Sequence, residues 1–76
     1  MRNKQLEKTV DLFADKLMQL RLEKGLSHEK LGKKAGLHWT TIGVIERKKR
    51  IPSLLTCMKI AHALDCRLAD ILDELE

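Results

Sequence analysis

The sequence predicts an all-α fold, a compact bundle of five helices, and three observations carry that expectation. Apolar residues recur at three- and four-residue steps along most of the chain. Gly25, Gly36 and Pro52 interrupt the rhythm at places suited to helix ends. No stretch alternates apolar with polar residues as a half-buried strand would, and Phe13 and Trp39 are the only aromatics amid abundant Leu, Ile, Lys and Glu.

The first helix is expected over about residues 3–24, where Leu6, Val10, Phe13, Leu17 and Leu20 share a face. Gly25 ends it as a left-handed residue, and Leu26 returns the chain to the core. Ser27 is a good N-cap for a second helix, His28 to Ala35, which Gly36 stops in turn before Leu37. A third helix runs from Trp39 to about Arg47 with Ile42 and Ile45 inward; His38 stands at its N-cap, where histidine is a poor choice. Arg47, Lys48, Lys49 and Arg50 form a basic connector. Pro52 and Ser53 open a fourth helix, through about Leu64, with Leu54, Cys57, Ile60, Ala61 and Leu64 facing in. The fifth, Leu68 to Leu75, carries Leu68, Ile71, Leu72 and Leu75 on its apolar side.

A length of 76 residues allows one domain, 1–76, with a thin core that a partner subunit would reinforce. The net charge is +4, unevenly spread: 14 of the 15 Lys and Arg lie in residues 1–64, and five of the 11 acids lie in residues 65–76. A basic body with an acidic end suits one surface that meets a polyanion and another that does not. Cys57 and Cys66 lack the spacing of a zinc site and read as two buried thiols of a reduced, cytoplasmic protein, with no metal and no cofactor. No signal peptide or membrane-spanning run is recognisable. Neither is a Ser/His/Asp, Cys/His or paired-carboxylate arrangement, so the reading is not an enzyme, with no small-molecule substrate and no membrane partner.

The distinctive stretch is residues 28–47, two short helices joined by Ala35-Gly36-Leu37-His38, the arrangement that offers a second helix to a DNA groove. Together with Leu20-Arg21-Leu22-Glu23-Lys24-Gly25-Leu26-Ser27, Leu31, Thr41-Ile42, Ile45-Glu46, Pro52-Ser53-Leu54, Ile60-Ala61, Ala63-Leu64 and Leu68, it resembles the Cro/phage-repressor (XRE-type) helix-turn-helix family over roughly residues 13–72. The resemblance implies a lambda-repressor-like fold. The length resembles the single-domain branch that includes controller proteins of restriction–modification systems. It also implies that Arg21 and Glu46 form a largely buried ion pair fastening the first helix to the third, where an arginine fork holds a carboxylate at two points.

The resemblance implies a function as well: a sequence-specific regulator of transcription that binds double-stranded DNA as a homodimer. Ile42 and Ile45 face the core, which leaves Trp39, Thr40, Gly43 and Val44 outside as base readers, with Thr41 at the edge. This set is poor in the amides and guanidinium groups that usually read base edges. Apolar contact with thymine methyls, DNA shape, and close approach at Gly43 are expected to contribute instead. A competing reading packs Trp39 back on the second helix. Phosphate contacts are expected from His28, Thr41, Arg47, Lys48, Lys49 and Arg50, with Lys30, Lys33 and Lys34 of lower rank. The family usually has Gly where Lys48 stands, so a longer helix or strain is expected there.

One recognition helix reads too few base pairs for genomic specificity, so pairing is expected, with half-sites about 34 Å apart. The expected interface is the last helix, residues 68–75, through Leu68, Ile71, Leu72 and Leu75, helped by Leu6. The alternative function is a protein-interaction module, such as an antitoxin-type partner using the same fold. The Arg47–Arg50 run favours DNA, since a protein partner does not demand it.

Overall fold

Five helices follow one another in a computed structural model that describes residues 3–75: α1 (Lys4–Glu23), α2 (His28–Ala35), α3 (Trp39–Glu46), α4 (Leu54–Ala63) and α5 (Leu68–Leu75). Met1, Arg2 and Glu76 lie outside the described residues. The helices match the expected number and order, with ends shifted by a residue or two.

Each start has a chemical cause. Asn3, Ser27 and Ser53 hold extended backbone, and their side chains accept N–H groups of the first turns of α1, α2 and α4. His38 corrects the expectation of a weak start: its Nδ1 accepts from the Thr40 N–H at 3.2 Å and so caps α3. Propensity ranks histidine low at this position, but its ring nitrogen reaches where an Asn or Asp oxygen would lie.

The ends repeat one device four times. After α1, Leu26 N–H donates to Arg21 O and Gly25 N–H to Leu22 O; after α2, Leu37 to Gly32 and Gly36 to Lys33. After α3 the pairs are Lys49 to Val44 and Lys48 to Ile45, and after α4 Cys66 to Ala61 and Asp65 to His62. This pattern needs one left-handed residue per turn. Gly25 and Gly36 supply it at no steric cost, whereas Lys48 (φ 64°) and Asp65 (φ 59°) adopt it with a side chain present.

α1 lies across α3 and α5, and α2 wedges against α3 and α4. Phe13, Leu17, Leu31, Ile42, Ile45, Ile60, Leu64 and Ile71 meet where they converge. Burying each contributes about 1.5–3 kcal/mol before chain entropy is counted. Two expectations about faces are corrected. Leu54, expected inward, is 70% exposed at the first residue of α4. Ile71, expected at the surface, is 3% exposed and closes the core beneath α5, with Leu68 and Leu75 half-buried beside it. Both thiols are free and only partly buried, not sealed as expected, and burial pushes the Cys57 thiol up from its ordinary range.

Lys48 shows how the left-handed turn is tolerated. Its ammonium sits 2.9 Å from Asp15 of α1, and that hydrogen bond pushes its pKa up. The ion pair is solvated and weak, so it only partly offsets the strain of a non-glycine residue at positive φ. Lys48→Gly is therefore expected to raise the thermal unfolding midpoint by a few degrees, which circular dichroism melting curves would check; a lower midpoint would mean that the tie to Asp15 outweighs the strain.

Candidate nucleic-acid interface

The corner between α2 and α3 is built on a close backbone approach. A β-carbon placed on Gly32 would lie 2.7 Å from Leu37 O and 3.3 Å from Trp39 N, so only glycine lets the two helices meet at this distance. The sequence reading did not single out Gly32, although a glycine inside a helical pattern signals a packing constraint of this kind.

Behind the corner sits the Arg21–Glu46 pair. Arg21 Nε donates to Glu46 Oε2 at 2.7 Å and Nη2 to Oε1 at 2.9 Å, while Nη1 donates to the Leu26 carbonyl at 2.8 Å. The two side chains are 10% and 5% exposed. Burial alone pushes the Glu46 carboxyl up, but the hydrogen bonds from Arg21 and His28 outweigh it and hold the group below its ordinary range. The bond to Glu46 pushes the Arg21 guanidinium further up, so both stay charged.

His28, expected to meet a phosphate, is the third member of this network: its Nε2 lies 3.0 Å from Glu46 Oε1. A carboxylate only accepts, so that nitrogen carries the proton, and a neutral ring keeps only an acceptor at Nδ1. The ring nitrogen expected to face a phosphate is thus engaged with Glu46. Lys48, expected on the phosphate strand, turns its ammonium to Asp15 on α1.

On the outer face of α3, Trp39 is 52% exposed, tilted against His38 with ring centroids 5.7 Å apart. The Thr40 hydroxyl lies 2.7 Å from His38 Nδ1. That nitrogen already accepts the Thr40 N–H, so the hydroxyl donates to it as well and presents its lone pairs outward. Val44 and Thr41 are half-buried at the flanks. Gly43 departs from its expected role as a bare outward backbone: it is buried, with Arg47 and His28 drawn over it. Arg47, Lys49 and Arg50 are exposed, and none of them forms an ion pair among the described residues. The expected readers and clamps are thus divided: Trp39 and Thr40 are exposed at the start of α3 with Thr41 and Val44 half-buried beside them, Arg47 and Lys49 are exposed at and after its end, Arg50 is exposed but lines a small cavity with Val10, Asp11 and Lys48 beside α1, and His28, Gly43 and Lys48 are engaged elsewhere.

Comparison with known proteins places this geometry. The family model described as Helix-turn-helix matches residues 17–71. The chain is 44% identical over 63 residues to the control protein C.BamHI of Bacillus amyloliquefaciens, covering 82% of this chain and 78% of that protein. It is 37% identical over 57 residues to the HTH-type transcriptional regulator YgzD of Bacillus subtilis, covering 75% of this chain and 86% of that protein. The crystal structure of the restriction-modification controller protein C.AhdI from Aeromonas hydrophila superposes with a TM-score of 0.78 at 37% identity, over 86% of this chain and 97% of that one. With its five helices, glycine-bearing corner and matched span, the chain belongs to the XRE-type helix-turn-helix family.

Proposed function

We propose that the chain is a transcriptional regulator that sets α3 into the major groove of double-stranded DNA as a cytoplasmic homodimer and, like the control proteins it is similar to, governs a restriction–modification locus. The observation that carries this reading is the open face of α3: Trp39 and Thr40 are exposed at its start, and Arg47, Lys49 and Arg50, with no carboxylate partner among the described residues, follow its end. A face that carries cations without carboxylate partners suits a phosphate backbone, where each neutralised phosphate releases counterions. No catalytic role is proposed, since the same residues serve recognition.

The second copy is assigned to a surface that keeps Leu68 and Leu72 of the expected interface and extends it toward α1 and α4. With Ile71 in the core, α5 offers Leu72 at its open side. An apolar groove of about 250 Å³ lies beside it, lined by Val10, Phe13, Leu54, Cys57, Leu68 and Leu72, with Ile51 and Pro52 at its rim. Ile51, Leu54, Leu55 and Met58 stand exposed around it. An apolar patch of this kind on a 76-residue chain marks an interaction surface. A second copy of the same surface would cover it by two-fold symmetry.

One titration tests both halves. Fluorescence anisotropy on duplex DNA, repeated across salt concentrations, is expected to show the log–log salt slope flattening by about 0.9 for each of Lys49→Ala and Arg50→Ala. Sedimentation is expected to show Leu54→Asp as a monomer with weakened DNA binding. Unchanged slopes in both alanine variants would remove the clamp, and a dimeric Leu54→Asp protein would remove the interface.

A further inference from the structure

α3 is unusual for a helix assigned to reading DNA, because its outer face supplies an indole, a hydroxyl and an isopropyl group, with the buried Gly43 covered by Arg47 and His28. None of those outward groups carries the paired donors that best distinguish guanine. Arg47 fills that gap. It stands one turn beyond Gly43, and helical side chains lean back toward the N-terminus over the residue four before. A β-carbon built on Gly43 would lie 3.1 Å from Arg47 Nη1 and 3.8 Å from Cζ, with His28 Cε1 at 3.9 Å on the other side. The guanidinium therefore rests in the notch that the missing side chain leaves, near the middle of α3's outer face.

We propose that Arg47 is a specificity-determining residue, its guanidinium laid in the Gly43 notch to donate both N–H groups to the O6 and N7 of a guanine. This rests on the DNA-reading assignment of α3 and changes the part played by Arg47 within it, from phosphate clamp to base reader. Three observations carry it. The notch lies on the face shared with Trp39 and Thr40, toward the groove floor, whereas phosphates flank a recognition helix at its ends. The neighbouring carboxylate, Glu46, is fully engaged with Arg21 and His28, so it does not neutralise Arg47, and no other carboxylate among the described residues pairs with it. Gly43 is itself a stability cost in a helix, and its φ is ordinary, so the turn does not require it. Room for the guanidinium is what the missing β-carbon supplies.

The test begins with a duplex selected from a random-sequence library by the wild-type protein, and a scrambled duplex of the same composition. Arg47→Ala is expected to lower the selected-to-scrambled affinity ratio roughly 5- to 150-fold, the worth of one two-point arginine–guanine contact. Arg47→Lys is expected to restore little, because an ammonium has no planar fork. Replacing one particular guanine by 7-deazaguanine is expected to weaken the wild type and leave Arg47→Ala unaffected. Gly43→Ala is expected to melt about 4–8 °C higher than wild type, since it meets only the flexible tip of Arg47, and yet to lose discrimination. Equal weakening of both duplexes by Arg47→Ala, with a salt slope flattened by about 0.9, would overturn the proposal and leave DNA binding standing. Full discrimination in Gly43→Ala would overturn the notch. A wild-type protein that selects no duplex would overturn the DNA-reading assignment and the proposal with it.

Discussion

Glu46→Ala is expected to cost about 3–5 kcal/mol of folding stability, the largest loss expected from a single change in this chain. The substitution strands the Arg21 guanidinium, 10% exposed, with only the Leu26 carbonyl to receive its N–H groups, and it frees His28 as well. A charge left buried without a partner costs several times more than the intact pair contributes over an apolar replacement. A chain of this size has about 5–15 kcal/mol to lose at most, so the variant is expected to be largely unfolded near body temperature. The double variant Arg21→Met with Glu46→Leu should recover much of the loss, because no unpaired charge remains. Chemical denaturation of the two single variants and the double one would give the coupling directly; additive losses would contradict a paired arrangement. The pH dependence has a definite sign. The Glu46 carboxyl is held below its ordinary value of 4.5, so its contribution is complete above that value and disappears as pH falls through the lower, folded value. Arg21 is raised from an already high value and does not titrate in the same range. Wild-type stability should thus fall on acidification more steeply than that of Glu46→Gln.

Gly32→Ala should destabilise by about 2–3 kcal/mol, although alanine is the better helix former. The added carbon would lie 2.7 Å from the Leu37 carbonyl oxygen, a backbone atom in a short corner with no flexible end to move aside. Relief requires α2 and α3 to separate, which strains the 2.8 Å bond from the Leu37 N–H to the Gly32 carbonyl and shifts Leu31 and Ile42 apart in the core. For a domain of this length the midpoint should drop by roughly 10–20 °C. Gly43→Ala is the control of opposite sign, since the same substitution there meets only the end of a side chain. A calorimetric melt of the two variants would separate them; similar midpoints would mean that the corner has more freedom than these distances allow.

How much of this was legible in the sequence depends on what each residue type declares. Gly25 and Gly36 announce helix ends because the turn needs a left-handed residue and glycine takes it without cost. Lys48 and Asp65 make the same turn without that signature, and at Lys48 only the resemblance to a family with glycine there flagged the site. Periodicity places Leu54 and Ile71 on apolar faces but does not say how much of each face a neighbour covers, which depends on how the helices pack. Arg21 and Glu46 are 25 residues apart, and their joining came through the resemblance, since nothing local marks either as buried. His28, Gly43 and Lys48 were assigned to DNA by position along the chain. Their actual partners are side chains from other turns and other helices, which no local pattern specifies.

The direct test of the central assignment is an amide NMR titration of the isotope-labelled protein with duplex DNA. The structure leads us to expect the largest shifts at the Trp39 indole and the amides of Thr40, Val44, Lys49 and Arg50, with α5 nearly silent. Shifts centred on the Leu54–Leu72 groove with α3 unmoved, or no shifts at low ionic strength, would contradict a DNA-reading α3.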